Sequence, residues 1–390
     1  MSLLYTMQGM RECGHKCEVA LVRPSNELAK LYGDAGFRTH CEPGISLWDH
    51  STVAPQRACD VRTWHMFAKL CVGWHRTLRL TRKIVQRISP DITHLNSMPF
   101  VPSARALTDA DIPYVWHVRE PPFDQGPRTR IIRSFMRRAP QLIFISNYDR
   151  QQWVGGSIGE VVSNFVDFVT FDRQCCGDNA RIRCGIGKET CVLLYLGGLS
   201  EIKGIFPLLD ALAKVKAQRT DWVCVMPGSQ YRPSSRLSSR IARKLLPVFG
   251  GGTIAQRFQQ NVAKLRIGDR LVILPFTKDI VPYYAACEML LFPSISPHYA
   301  RPVVEAASMG KPSIGSNLGG VNELIINDQT GLLVEPGSAR ALADSIMLLL
   351  ENRDKARKLG ENAYEIARER FDAKKNVRRI EQIYDTILTK

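Results

Sequence analysis

Two short stretches hold residue types that can do chemistry. In 195-YLGGLSEIKGIFPLLDAL-212 an apolar run ends at Gly197-Gly198, a polar turn follows, and Lys203-Gly204 opens a helical stretch. Backbone N–H groups at such a helix start, with a lysine point charge beside them, make a place for phosphate. An ordinary strand-to-helix turn has the same look. In 291-LFPSISPHYARPVVEAASMGKPSIGSNLGG-320 a buried strand ends at Phe292-Pro293-Ser294, and a polar loop leads to a short helix opened by Pro302 and closed by Gly310. One acid, Glu305, is read in the first turn of that helix. There it would complement the helix dipole for about 0.3–1 kcal/mol. As acceptor for two neighbouring hydroxyls, such as a ribose presents, it would gain roughly 1.5–3 kcal/mol per charge-assisted bond. Magnitude favours the second role wherever a nucleotide binds.

The surrounding chain must position these residues. At 390 residues it exceeds what one core usually supports, so two domains are expected. Hydrophobic content of 45% and charged content of 23% are ordinary for a soluble protein, and no uncharged apolar run reaches the 18 residues of a spanning helix. The eleven cysteines are scattered without C-x-x-C spacing, and with no N-terminal signal segment they read as reduced thiols in a cytoplasm.

The net charge of +16 suits nucleic acid, anionic lipid or a phosphorylated substrate. Between Arg57 and Arg87 there are eight basic residues and one acid, Asp60, and Arg62, Lys69, Arg76 and Lys83 recur every seven residues. Trp64, Phe67, Cys71, Trp74, Leu78, Val85 and Ile88 fill the other side of the same helical period. This basic amphipathic helix either packs its apolar face on its own domain or meets an anionic membrane surface or acceptor. Zinc-finger spacings and aromatic-basic repeats are missing, so nucleic acid is not the expected partner.

Strand and helix patterns alternate throughout. Strands are expected at 17–22, 92–94, 114–117, 141–145, 161–163, 191–196, 222–226, 270–274, 289–292, 313–315 and 331–334, short apolar runs bounded by Gly, Pro or Asp. The fold class is α/β, with two doubly wound parallel-sheet domains. The division expected is a first domain over 1–170, a linker over 171–189, a second domain over 190–371, and a last helix, 372–390, packing back toward the first domain. Ligands of such proteins sit where the carboxyl ends of strands face a crevice.

The segments 195-YLGGLSEIKGIFPLLDAL-212, 276-FTKDIVPYYAACEMLLFPS-294, 299-YARPVVEAASMGKPSIGSNLGGVNELI-325 and 329-QTGLLVEPGSARALADSI-346 together resemble the retaining glycosyltransferases of family four. The first half agrees more loosely, through 14-GHKCEVAL-21, 90-PDITHLNS-97, 112-IPYVWHVRE-120 and 162-VSNFVD-167. The resemblance implies the GT-B fold, two Rossmann-like domains facing a cleft. It implies a nucleotide-sugar donor on the second domain and a glycan or lipid-linked acceptor on the first. The donor is a substrate, and neither a cofactor nor a metal is implied.

Carried onto this chain, the resemblance gives Glu305 the donor ribose and Lys203, with Gly197 and Gly198 before it, the diphosphate. Tyr299, Ala300 and Arg301 would offer backbone N–H groups to the same phosphates, and Gly319 and Gly320 would keep the wall of the site low. Phe276, Thr277 and Ile280 would lie along the nucleobase. Arg119, with His117 as the alternative, would face the donor sugar from the first domain. The chemistry implied is loosening of the sugar–phosphate bond while an acceptor hydroxyl attacks from the same face, the protein stabilising charge that grows on the diphosphate.

Three departures stand out. The acid that the family has eight residues before Glu305 is Pro297 here, followed by His298. The turn Gly197-Gly198-Leu199 lacks the usual arginine. The chain opens on helix-like residues 1–13 and then the strand at 17–22, where a doubly wound domain opens on a strand and a glycine-rich loop. The first sheet is therefore expected to lack a strand and expose an edge or gap. These departures point to a second reading, a non-catalytic relative that binds nucleotide or a partner; a third reading is a nucleotide-sugar epimerase of the same fold.

Overall fold

The computed structural model describes residues 2–50, 61–230 and 253–389. The strands are β1 (Glu18–Leu21), β2 (Arg38–Cys41), β3 (Thr93–Asn96), β4 (Tyr114–Val118), β5 (Gln141–Phe144), β6 (Glu160–Val161), β7 (Cys191–Tyr195), β8 (Trp222–Pro227), β9 (Leu271–Leu274), β10 (Met289–Phe292), β11 (Ser313–Ser316) and β12 (Gly331–Val334). The helices are α1 (Ser2–Glu12), α2 (Asn26–Asp34), α3 (Val61–Ile88), α4 (Val101–Thr108), α5 (Pro127–Met136), α6 (Asn147–Val154), α7 (Asp178–Arg183), α8 (Ile205–Lys216), α9 (Ile254–Leu265), α10 (Val281–Ala286), α11 (Arg301–Ser308), α12 (Ala339–Glu351), α13 (Arg353–Arg370) and α14 (Ala373–Leu388). Each expected strand is present, those at 289–292 and 331–334 with the expected bounds and the others with shifted ones. The strand missed is β2, whose R-T-H-C run is partly exposed and pairs only with β1, so no apolar period marks it.

The chain divides into two compact units, Met1–Asp167 with Arg370–Lys390, and Phe168–Glu369. Segment 171–189, expected as a linker, is part of the second unit. Phe171 is buried with its ring against Tyr284, and Ala180 of α7 is buried. The last helix belongs to the first unit, where Val377, Ile380 and Ile383 join a core with Val115 of β4 and Ile143 of β5.

The second unit is built on one parallel sheet in the order β12-β11-β10-β7-β8-β9. Near-continuous apolar strands such as Cys191–Tyr195 and Met289–Phe292 are buried throughout, as a sheet covered on both faces requires. The chain winds outward from β7 through β8 to β9, then returns to the other side for β10, β11 and β12. The direction reverses between β7 and β10, whose ends lie in register with Leu291 opposite Tyr195. In doubly wound sheets ligands bind outside the carboxyl ends of the strands at such a switch point.

The first unit has two separate parallel sheets, β3-β4-β5-β6 and β1-β2. Among the described residues no strand joins β1 to β3, so the expected break in the sheet is found. Helix α1 spans both sheets instead. Leu4 and Met7 pack with Val19 and Leu21 of β1 and with Tyr32 and Phe37, while Tyr5 and Met10 pack with Val115, Ile143 and the apolar face of α14. The two helices approach so closely at Gly9 that a Cβ there would lie 2.6 Å from a methyl of Val377.

Helix α3 packs much of its described apolar side on its own unit, although Cys71, expected on that side, is exposed. Leu70 and Val85 are buried with Trp48 and Leu95, and Trp74 packs against Trp48 and Phe135. Arg57 and Asp60 lie outside the described residues, as do the side chains of Arg62, Trp64 and Phe67.

Overpacking at the α1–α14 contact has a measurable cost. Gly9→Leu should destabilise the protein by about 1–3 kcal/mol, read as a lower urea midpoint, and adding Val377→Ala should restore part of the loss. A midpoint unmoved by Gly9→Leu would mean that α1 does not seat on α14.

Candidate functional site

The loops at the switch point are stitched together by the backbone of one and the side chains of the other. After β10, the Ser294 hydroxyl lies 2.9 Å from the Ile202 carbonyl and 2.8 Å from the Ser296 carbonyl, and the Ile295 N–H donates to Ile202 O at 2.9 Å. After β7, the buried Tyr195 hydroxyl lies 3.2 and 3.3 Å from the carbonyls of Gly198 and Lys203 and can donate to either. Gly204, with φ of +74°, is the N-cap of α8 and passes so close to the Pro293 carbonyl that a Cβ would sit 1.6 Å from its oxygen. Only glycine meets both demands. Lys203 is thereby held beside the 293–298 loop, and burial pushes its ammonium below the usual lysine range.

His298 closes the same loop. Its Nδ1 lies 2.9 Å from the Ser296 carbonyl and 3.1 Å from the Ser294 hydroxyl, and its ring packs on Phe292. Its Nε2 is buried without a hydrogen-bond partner, a state that costs about 1–3 kcal/mol when nothing fills it. Burial first, then the nearby Lys203 cation, pushes the imidazole below its usual range, so the ring is neutral.

Glu305 does not lie in the first turn. Helix α11 begins at Arg301 with Ala300 as its N-cap, which makes Glu305 the fifth residue, beyond the reach of the dipole. The helix starts before Pro302 because proline is tolerated in the first turn. The Glu305 carboxylate is buried. One oxygen accepts from Arg301 Nε at 2.7 Å and the other from the Tyr284 hydroxyl at 2.8 Å. Burial first, then the Glu305 charge, pushes the Tyr284 phenol well above its ordinary range. Each carboxylate oxygen still has a lone pair to offer.

The remaining expected donor-side residues also follow carboxyl ends of strands in this sheet. Gly197 and Gly198 follow β7. Phe276, largely exposed, Thr277 and Ile280 follow β9, where the Thr277 hydroxyl accepts from Asp279 N–H at 3.1 Å. Tyr299, Ala300 and Arg301 follow β10, and the Arg301 N–H points back to the Tyr299 carbonyl at 3.2 Å. Gly319 and Gly320 open a 3-10 turn after β11.

His117 and Arg119 lie in the first unit, at the end of β4 and just beyond it. Arg119 Nε donates to Asn96 Oδ1 and Nη1 to Asn164 Oδ1, both at 2.6 Å, and Nη2 lies 3.3 Å from His117 Nδ1. His94 Nε2 lies 3.2 Å from the same His117 nitrogen, and Tyr384 of α14 reaches His94 Nδ1 at 2.6 Å. Arg119 can only donate, so His117 Nδ1 must accept. The order follows along the chain: Tyr384 donates to His94, and His94 donates to His117. Burial, then Arg119, pushes His94 down to about 3 and His117 well below the usual range. Both imidazoles are neutral. Glu120 accepts from the Ser97 hydroxyl at 2.8 Å, and burial raises its carboxyl.

Sequence reasoning singled out Lys203, Glu305 and Arg119 but not the groups that hold them: Tyr284, Ser294, Asn96, Asn164, His94 and Tyr384. All of these but Tyr384 stand inside segments that carried the resemblance, which was the available signal. Among the described residues, no group of three or more His, Cys, Asp or Glu is arranged to hold a metal ion.

Residues 178–366, which contain all of the donor-side positions, match the family described as Glycosyl transferases group 1. They make up just under half of the chain. The chain is 27% identical over 230 residues to N-acetyl-alpha-D-glucosaminyl L-malate synthase of Bacillus anthracis, covering 59% of this chain and 54% of that protein. It is 31% identical over 238 residues to a D-inositol 3-phosphate glycosyltransferase of Nocardia farcinica, covering 59% and 47%. The aligned part thus spans about half the length of these relatives. Among solved structures, a glycosyltransferase from Rickettsia africae superposes with a TM-score of 0.76 at 20% identity, covering 99% of this chain and 94% of that one. HepE from Anabaena, solved with UDP and glucose, gives a TM-score of 0.76 at 20% identity, covering 99% and 95%. The group 1 fold is therefore GT-B, as the resemblance implied.

The buried histidines set a pH dependence. Their folded-state values lie below the unfolded value near 6.5, so below that pH the unfolded chain binds more protons and stability falls. Each buried imidazole should contribute a slope of about 1.4 kcal/mol per pH unit, in a window from pH 6.5 downward that precedes most carboxylate titration. Urea unfolding between pH 7 and 5 should show this loss, and His94→Gln should make it shallower. An equal slope in the variant would remove His94 as the cause.

Proposed function

We propose that this protein is a retaining glycosyltransferase that moves a sugar from a nucleotide-sugar donor to a hydroxyl of a glycan or lipid-linked acceptor, in cell-surface polysaccharide or glycolipid synthesis. What carries the reading is the switch point of the second sheet, where Lys203 is braced beside the loop that leads into the Glu305 helix. In this reading Lys203 and the amides of the 197–204 turn take the charge that grows on the leaving diphosphate. Glu305 accepts from the ribose hydroxyls through its remaining lone pairs. The residues 276–280 run along the base, and in the first unit Arg119 is clamped by two asparagines. The acceptor proton passes to the departing phosphate oxygen, so no metal enters the step. The similarity to the D-inositol 3-phosphate glycosyltransferase of Nocardia farcinica supports the class.

A second reading, a relative that binds nucleotide without turnover, is favoured by one observation: Pro297 and Gly198 stand where the resembled family has an acid and an arginine. Incubation with a panel of UDP-, GDP- and ADP-sugars separates the two. Slow donor hydrolysis supports transfer, and binding with no turnover supports the second reading. Under the first, Glu305→Ala should weaken nucleotide binding by about 10–100-fold. Lys203→Ala should leave binding less affected but slow turnover by roughly 100–1,000-fold. Nucleotide affinity unchanged by Glu305→Ala would reduce the residue to a brace between α10 and α11.

The exposed side of α3 carries Lys69, Arg76, Arg79 and Lys83 with the solvent-facing Val72. Its chemistry suits the anionic inner face of a plasma membrane, which would bring the enzyme to a lipid-linked acceptor. No described helix is long and apolar enough to cross a membrane. The protein should co-sediment with phosphatidylglycerol-containing vesicles but not with pure phosphatidylcholine. Lys69→Glu combined with Lys83→Glu should weaken that association by tenfold or more, at about 1 kcal/mol for each charge removed and more for reversal. Equal sedimentation of both proteins would assign the basic face elsewhere.

A further inference from the structure

His298 offers a hydrogen-bond acceptor that the donor-side assignments do not use. The tautomer follows from its neighbours. The Ser296 carbonyl has no proton to give, so the 2.9 Å contact requires the hydrogen on Nδ1. The Ser294 hydroxyl has two carbonyls within reach, Ile202 and Ser296, and its oxygen faces Nδ1 at 3.1 Å, consistent with the same proton position. Nε2 therefore holds a lone pair. It is buried, unpartnered, and close enough to Lys203 to feel its charge.

A lone pair of this kind accepts only from a group that carries hydrogen, a hydroxyl or an amide N–H, and repels a phosphate or carboxylate oxygen. The lysine beside it attracts the opposite kind of group. One small region thus presents an anion site next to a neutral acceptor, which suits a ligand bearing a hydroxyl a short distance from a phosphate. Residue 297 is a proline and supplies no side-chain acceptor.

We propose that His298 Nε2 accepts a hydrogen bond from a hydroxyl or amide N–H of the sugar being transferred, making His298 a specificity residue for the donor sugar. This rests on the nucleotide-sugar reading above. Because the Ser294 network pins the ring, the acceptor is fixed before the donor arrives, and Ser294 becomes the residue that positions it.

Calorimetric titration of the full chain tests this, with UDP, GDP and ADP measured alongside UDP-glucose, GDP-mannose and ADP-glucose. The informative quantity is the ratio of the diphosphate Kd to that of its sugar derivative. His298→Phe should lower this ratio by about three- to tenfold, the cost of one lost hydrogen bond, with the diphosphate Kd held within about twofold. His298→Gln, whose carbonyl can accept, should retain part of the ratio, and thermal midpoints of both variants check that the loop survives. The proposal is overturned if both variants keep the wild-type ratio, or if diphosphate affinity falls in step with that of the sugar derivative, which would make His298 a support for Lys203. A wild-type chain that binds diphosphates with no gain from the sugar also overturns it while leaving nucleotide binding intact. Failure to bind any of the six compounds removes the nucleotide-sugar reading and this one together.

Discussion

The second unit depends on one close contact, the passage of Gly204 against the Pro293 carbonyl at the point where the sheet reverses direction. A parallel sheet alone leaves the loops after β7 and β10 free to diverge. Ser294 and Ile295, bonded to the Ile202 carbonyl, prevent this. The outcome is a lysine held beside a buried loop instead of waving in solvent, and a helix whose start is anchored by the same residues. Preorganisation of this kind is what a charge-stabilising site requires, since a cation that must be gathered at the moment of reaction gives back much of its benefit.

In the first unit, the comparable constraint is the fixed donor character of Arg119. Because guanidinium cannot accept, it dictates the tautomer of His117, and His117 dictates that of His94, out to Tyr384 on the last helix. A residue near the carboxyl terminus therefore supports the group at the end of β4. The break between the two sheets is bridged by α1 and α14, whose side chains cover what a continuous sheet would have covered itself. Helix packing can substitute for strand pairing in burying apolar surface, but it does not pair backbone groups.

Local patterns were good guides to the architecture. Buried parallel strands read as unbroken apolar runs, so Cys191–Tyr195 and Met289–Phe292 were visible at once. Strand β2 was not, because a short edge pair with polar side chains leaves no periodic trace. Glu305, singled out as a candidate donor-binding acid, was placed in the first turn, since proline at the second helical position hid a start at Arg301. Segment 171–189 looked like a linker because its charge and glycine content rise, yet Phe171 and Ala180 bury themselves in the second unit.

The sequence by itself determined the α/β class, every described strand but β2 and the resemblance of the C-terminal segment, and it offered Lys203, Glu305 and Arg119 as candidate residues. Each of these is written in local composition, spacing or turn chemistry. Only the tertiary structure decided which groups hold them. Tyr284 on Glu305, the asparagine clamp on Arg119 and the orientation of His298 all join residues from separate elements. Such contacts depend on where the chain returns after a turn of the fold, and a hydrogen bond leaves no period in the sequence.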